Sequence, residues 1–102
     1  MKQAIGILET KGLTALISGT DAMLKAADVQ VAGPVKNVGS AMVSVTVEGN
    51  VAAVKAAIES GVEAAQAVGE VLSAHVIARP SEGVAAVLPK PAKAAPARRT
   101  SK

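Results

Sequence analysis

The stretch Ala41-Met42-Val43-Ser44-Val45-Thr46-Val47-Glu48 places a valine at every second position from residue 43 to residue 47. Successive side chains of a β-strand point to opposite faces of a sheet, so these valines line one face. This is the clearest strand pattern in the chain. The fold class follows from the elements that the sequence predicts on either side of it.

Three elements are predicted before this strand. Residues 3–9 form a first strand whose alternation puts Ile5 and Ile7 on one face, and residues 29–32 form a second strand. A helix lies between the two strands and follows a turn at residues 10–12. Its polar face consists of Ser18, Asp21, Lys25 and Asp28. It packs on the sheet through a stripe at helical spacing, namely Leu13, Leu16, Ile17, Thr20, Leu24 and Ala27.

A second helix and a fourth strand are predicted after it. Asn50 is a favourable N-cap for a helix over residues 51–68, and Gly69 stands where a C′ glycine is expected. Residues 71–78 then form a strand, and residues 81–88 add one or two helical turns. The order β-α-β-β-α-β predicts an α+β protein with the ferredoxin-like arrangement.

The composition limits the core and the compartment. The chain has 102 residues, which suits one domain, and it contains no Phe, Tyr, Trp or Cys. A core of small side chains buries little area per residue, so the monomer should be marginally stable and should gain from burial against copies of itself. The absence of cysteine favours a reducing compartment. With no signal peptide and no membrane-length apolar run, we expect a cytoplasmic protein without a membrane partner.

The formal net charge of +3 is unevenly distributed. Residues 1–89 contain six basic and eight acidic residues, which gives a net charge of −2 and argues against nucleic-acid binding. The excess positive charge lies in residues 90–102, where no apolar residue is larger than alanine. We therefore predict a folded domain over residues 1–89 and a disordered basic tail over residues 90–102. The tail either contacts acidic partners or is a solvated extension.

The sequence contains no recognisable catalytic set. His75 is the single histidine and lies in a predicted strand, where a hydrogen-bonded structural imidazole is the expected role. Glu59 and Glu63 are four residues apart on a predicted helix without a third ligand, so they form a solvated face. An RNA-recognition module of this topology would need aromatic residues on its sheet. We expect no enzyme activity, no metal and no cofactor.

The loop Val35-Lys36-Asn37-Val38-Gly39-Ser40 joins the second and third predicted strands. It is either an ordinary hairpin connection or a tip that lines a site, because glycine permits close approach and serine supplies a hydroxyl. A glycine-containing loop of this kind can also bind an anion through backbone amides. A small-molecule-binding regulatory domain of ferredoxin-like fold is therefore the alternative to a structural role.

Three stretches of the chain resemble the signature motifs of bacterial microcompartment shell proteins of the single-domain BMC type. They are IGILETKGL at residues 5–13, DAMLKAA at residues 21–27 and GEVLSAHVIARP at residues 69–80. The resemblance extends from about residue 4 to residue 89. It implies a non-enzymatic protein that forms flat cyclic hexamers, which tile with other shell proteins of the same compartment around encapsulated enzymes.

The resemblance also implies two sets of site residues. The loop between the second and third strands surrounds a pore on the hexamer axis, which Lys36, Asn37, Val38, Gly39 and Ser40 would line for small polar or anionic metabolites. The edge between neighbouring hexamers would contain Lys25, Asp28 and Arg79. This sequence departs from the family pattern at Ala41, where the last glycine of the pore motif is usual. The loop is also one residue longer than the usual spacing.

Overall fold

One antiparallel sheet and two helices make up the fold. The computed structural model describes residues 3–33, 35–37 and 39–78. In chain order the elements are β1 (Ala4–Lys11), α1 (Leu13–Ala26), β2 (Gln30–Val31), β3 (Lys36–Asn37), β4 (Met42–Gly49), α2 (Val51–Gln66) and β5 (Glu70–Ile77). The predicted mixture of two helices with one sheet is confirmed.

The sheet is built around β4 and β1. Its order is β2-β4-β1-β5, and β3 also pairs with β4. The ladder between β1 and β4 runs from Ala4 opposite Gly49 to Lys11 opposite Met42. Because Thr10 and Lys11 take part in this ladder, the turn predicted at residues 10–12 is wrong, and the first strand continues to Lys11.

The short strand β3 is absent from the predicted element order. Its two residues pair with β4, with Lys36 opposite Ser44 and Asn37 opposite Val43. A two-residue strand is too short to show an alternating pattern, so the sequence indicated only a loop here. Backbone pairing therefore holds part of that loop in place.

Both helices pack on the same face of the sheet. Gly6 lies under α2, because a Cβ added to it would come 2.8 Å from Cγ1 of Ile58 and 2.9 Å from Cγ1 of Val54. The alternating valines of β4 are buried on this face, as predicted. The buried core cluster comprises Ala4, Leu8, Leu16, Met23, Val29, Val43, Val45, Val47, Val54, Ala57 and Ile58.

The buried stripe of α1 differs from the predicted one. Its members are Ala15, Leu16, Gly19 and Met23. Of the large apolar residues predicted to pack on the sheet, Leu13, Ile17 and Leu24 are exposed instead. The helix has apolar residues on two adjacent faces, and the sequence pattern combined them into one broad stripe. Only one of those faces is buried by the chain itself.

The two helices cross where each has a glycine. A Cβ added to Gly61 of α2 would come 2.5 Å from Cγ of Met23, and a Cβ added to Gly19 would come 3.0 Å from the carbonyl oxygen of Gly61. A contact shorter than 3.0 Å would force a neighbour to shift, and a Cβ at Gly19 would also come 2.7 Å from Cδ2 of Leu8. Glycine at both positions therefore sets the short separation of α1 and α2, which outweighs its low helix propensity.

The ends of α2 agree in part with the prediction. The Asn50 side chain accepts a hydrogen bond from the amide of Ala53 at 2.8 Å, so the predicted N-cap is confirmed. Gly69 is not a left-handed C′ residue, because its φ is not positive. A Cβ at Gly69 would come 2.8 Å from Cβ of Ala15. Glycine is required there by the close approach of α1.

Several predicted features fall outside the described residues. They are the helical turns over residues 81–88, the domain boundary at residue 89 and the basic tail over residues 90–102. Within the described part of the chain, no helix is long and apolar enough to cross a membrane.

Candidate functional site

The loop between β2 and β4 has a tip that local hydrogen bonds define. Oδ1 of Asn37 accepts a hydrogen bond from the amide of Gly39 at 2.9 Å. The amide of Met42 donates to the carbonyl oxygen of Gly39 at 2.8 Å. This side-chain turn followed by a backbone turn gives the tip a specific shape.

The tip is also bonded to the start of α1. The amide of Gly12 donates to the carbonyl oxygen of Ala41 at 2.6 Å. Gly12 precedes the first residue of the helix and has no side chain with which to cap it. The first turn of α1 and the loop tip are therefore fixed relative to each other.

Three consecutive residues of the tip have left-handed backbone angles. The φ values are 91° for Gly39, 50° for Ser40 and 64° for Ala41. Glycine adopts this region freely, whereas other L-residues lose about 1–2 kcal/mol per residue there. The cost at Ser40 and Ala41 is offset by the hydrogen bonds around them, and the strain is concentrated at the point where the chain reverses.

The tip is open to solvent. Lys36, Asn37, Gly39 and Ser40 are all exposed, and a Cβ added to Gly39 would meet no described heavy atom within 4 Å. Chemically, the tip offers one hydroxyl and one lysine charge, whereas the amides of Gly39 and Met42 already donate within the turn. Of the predicted pore-lining residues, Val38 lies outside the described residues, and the structure brings the other four together within one turn.

Two contributions to this site were missed at the sequence level. Ala41 bonds the tip to α1, and the Asn37 side chain shapes the turn. The spacing Asn-x-Gly is a recognisable signal for a side-chain turn and could have indicated the second contribution. The bond to Ala41 joins residues far apart in sequence, so no local pattern reports it.

Two of the predicted edge residues, Lys25 and Asp28, lie at the other end of the molecule. Nζ of Lys25 pairs with Oδ2 of Asp21 at 2.9 Å in the last turns of α1. Both side chains are largely exposed, and such a pair contributes little to stability. Asp28 is exposed just beyond the helix, and a Cβ added to Gly49 would come 3.0 Å from its carbonyl oxygen. Arg79 lies outside the described residues.

The strand β4 separates the tip from this edge. It starts at Met42, next to the tip, and ends at Gly49, next to Asp28. Eight residues of strand span about 26 Å at roughly 3.3 Å per residue. The sheet therefore runs from the loop tip at one end to Lys25 and Asp28 at the other.

The remaining chemistry-bearing residues do not assemble into a site. His75 is exposed opposite Ile7 on β5, and its imidazole makes no hydrogen bond within the described residues, so the predicted hydrogen-bonded role stays a prediction. Glu59 and Glu63 are exposed on α2, as predicted. The described part of the chain holds no group of three or more His, Asp or Glu side chains that could bind a metal ion.

Comparison with known proteins identifies the family. The BMC domain family matches residues 4–80. The chain is 52% identical over 89 residues to the bacterial microcompartment shell protein PduA of Citrobacter freundii. The match covers 87% of this chain and 95% of that protein. It is 48% identical over 87 residues to the bacterial microcompartment shell protein EutM of Escherichia coli K12, covering 85% and 89% of the two chains.

More distant shell proteins and a solved structure agree with this assignment. The carboxysome shell protein CcmK2 of Synechocystis is 47% identical over 91 residues, with 87% of each chain covered. A crystal structure of a microcompartment protein from Desulfitobacterium hafniense superposes with a TM-score of 0.72 at 30% identity over 82% of this chain. This chain spans 45% of the length of that protein. The chain belongs to the BMC domain family, whose named relatives here are shell proteins.

Proposed function

We propose that this chain is a structural shell protein of a bacterial microcompartment, located in the bacterial cytoplasm. Six copies close into a flat cyclic hexamer, called the ring below, and rings tile edge to edge into the facets of the shell. The observation that carries this proposal is identity of about half over nearly the whole length of named shell proteins. The small-molecule regulatory alternative is not retained, because these relatives are all shell proteins.

The layout of the described residues supports this role. The strand order, with β4 and β1 inside the sheet and β2 and β5 outermost, supports our assignment of the chain to the ferredoxin-like fold. In a cyclic ring, one end of each subunit lies at the axis and the opposite end lies at the rim. The loop tip and the Lys25 end of α1 are at opposite ends of β4 and supply such a pair.

In this arrangement the tip lines a central pore. Six copies of Gly39 and Ser40 surround the opening and present the Ser40 hydroxyls, since the Gly39 amide already donates to Oδ1 of Asn37. Six copies of Lys36 stand close by. Val38 belongs to the same loop. Convergent lysine charges raise the local concentration of anions in a manner that salt screens. The substrates of this pore are therefore small polar or anionic metabolites.

The rim carries Lys25, Asp28 and Arg79, which contact the neighbouring ring. A hydrogen bond to a charged group contributes roughly 1.5–3 kcal/mol, and tiling repeats the contact at every edge.

The partners of the chain in this role are copies of itself, other shell proteins and the enzymes that the shell encloses. The folded domain covers residues 1–89, and residues 90–102 form a basic tail that extends from it.

Assembly of the purified protein tests this proposal. We expect sedimentation of a hexamer at micromolar concentration and hexagonally tiled sheets or tubes in electron micrographs. Lys25→Asp should retain rings and lose sheets, because it reverses a charge that tiling uses repeatedly. Lys55→Asp makes the same change at an exposed lysine of α2 and should leave sheets intact. A folded wild-type monomer would contradict the function, whereas sheets of Lys25→Asp would contradict only the assignment of the rim.

Transport through shells made of this protein alone tests the pore. Lys36→Glu should slow entry of an anionic substrate to an enclosed reporter enzyme, and more strongly at low than at high salt. Ser40→Leu should slow entry at any salt concentration because it narrows the opening. Lys55→Glu is the control for a change of net charge. Unaltered flux in both loop variants would show that metabolites do not cross here.

A further inference from the structure

The end of β1 that leads into α1 contains a buried hydroxyl. Thr10 is fully buried although its side chain is polar, and it stands opposite Val43 of β4. Directly opposite residues of a ladder share a face, so Thr10 lies on the face that the helices cover. Its Oγ1 donates a hydrogen bond to the carbonyl oxygen of Gly12 at 3.0 Å. The pairing of β1 with β5 shifts register between Glu9 and Thr10, and an irregularity of this kind redirects the side chains beside it.

Gly12 uses both of its backbone polar groups in this arrangement. Its carbonyl oxygen accepts from Thr10, and its amide donates to the carbonyl oxygen of Ala41 at 2.6 Å. Its φ of 97° and ψ of 142° lie in a region that glycine adopts and other L-residues rarely do. A Cβ added there would meet no described heavy atom within 4 Å, so backbone conformation and not space requires the glycine. Because glycine has many conformations open to it, these two hydrogen bonds are what hold Gly12 in this one.

The bond from Gly12 to Ala41 extends the ladder between β1 and β4. The last pair of that ladder joins Lys11, the final residue of β1, to Met42, the first residue of β4. Gly12 and Ala41 are the next two residues in the same register. The loop tip is therefore supported from the end of β1, one step beyond the sheet.

We infer that Thr10 is a positioning residue for the loop tip and, through the tip, for the width of the pore. The inference rests on the proposed pore. The Thr10 hydroxyl holds Gly12 in the conformation in which its amide meets Ala41, and Ala41 adjoins Ser40 at the opening. Under cyclic symmetry all six tips move alike, so a small displacement of each tip changes the opening from every side.

Two substitutions separate the hydroxyl of Thr10 from its packing. Thr10→Val removes the hydroxyl and keeps the shape, whereas Thr10→Ser keeps the hydroxyl and removes a buried methyl group. Loss of one hydrogen bond should speed hydrogen exchange of the Gly12 amide about fivefold in Thr10→Val, while Thr10→Ser stays close to the wild type. A role in packing alone predicts the reverse order, because only the serine variant loses buried apolar volume.

NMR of the intact protein measures this exchange, with sedimentation to verify that the oligomeric state is the same in every variant. Thr20→Val is the matched control, because it removes a hydroxyl that also donates to a backbone carbonyl oxygen, that of Leu16. It should leave exchange at Gly12 unchanged. The Ala53 amide, bonded to Asn50 at the other end of the sheet, should not respond in any variant. Unchanged exchange at Gly12 in Thr10→Val, or equal acceleration in Thr10→Ser, would overturn the inference.

Flux through shells made of this protein alone tests the link to the pore. With Thr10→Val, the ratio of entry rates for a small and a bulkier anionic substrate of an enclosed reporter enzyme should fall toward one. Thr10→Ser should restore the wild-type ratio. An unchanged ratio in Thr10→Val shells, where Lys36→Glu does alter flux, would overturn the inference and leave the pore in place. Unaltered flux in both Lys36→Glu and Ser40→Leu would instead overturn the pore itself.

Discussion

The two helices pack on the same sheet, yet the chain covers nearly all large apolar side chains of α2 and leaves three of those of α1 exposed. The Asn50 side chain caps α2, whose interior face is buried and whose exposed residues are mostly alanine, lysine and glutamate. By contrast, α1 starts from a glycine bonded to a distant loop, and three of its large apolar residues face solvent. Within the described residues α2 exposes one such side chain, Val51. The chain therefore covers the large apolar side chains of α2 more completely than those of α1.

The largest effect on stability is expected where the two helices are in contact. Gly61→Leu should lower the free energy of unfolding by about 1–3 kcal/mol or more, because its side chain would overlap Met23. Urea denaturation followed by circular dichroism at fixed protein concentration measures the change. Glu63→Leu adds the same residue at an exposed position of α2 and should change stability by less than about 0.5 kcal/mol. Equal midpoints for the two variants would mean that the helices are not packed this closely.

A substitution at the start of α2 should have a smaller effect on stability. Asn50→Ala should destabilise the protein by about 1 kcal/mol, because the amide of Ala53 loses the acceptor that it has now. Asn50→Asp retains a capping oxygen and is the control. Hydrogen exchange should be faster in the first turn of α2 and unchanged in the first turn of α1. Faster exchange in both helices would show that their starts are coupled, contrary to the comparison.

The smallest effect on stability is expected at the loop tip, where the Ala41 carbonyl oxygen accepts a hydrogen bond from the amide of Gly12 just before α1. Ala41→Gly removes a Cβ from a residue with φ of 64° and should stabilise the fold by up to about 1 kcal/mol. The gain is partly offset by the greater entropy of glycine in the unfolded chain. Ala52→Gly, on the exposed side of α2, should have the opposite sign. Thermal unfolding of the two variants provides the measurement, and a lower midpoint for Ala41→Gly would contradict the left-handed conformation.

The sequence predicted the start of α2 correctly because its N-cap, Asn50, is a local signal. It failed for α1 because apolar residues lie on two adjacent faces of this helix, and periodicity alone does not show which face packs on the sheet. The strand β4 was predicted from its valines, whereas β3 was missed because two residues carry no period. At the loop tip, the family resemblance predicted Lys36, Gly39 and Ser40 as pore-lining residues, and that role stays a prediction. The bond between Gly12 and Ala41 was not found, because it depends on tertiary contact alone.

The hydrogen bonds on both sides of the loop tip have a consequence for how this part of the chain tolerates changes in length. Asn37 and Gly12 hold the tip from opposite ends, and pairing with β4 fixes Lys36 just upstream. An insertion before Val35 therefore leaves the tip in register with α1, whereas an insertion after Asn37 would displace it. The additional residue that the family resemblance predicts for this loop would be accommodated upstream of Lys36. Relatives can thus differ in the approach to the tip and still present the same turn.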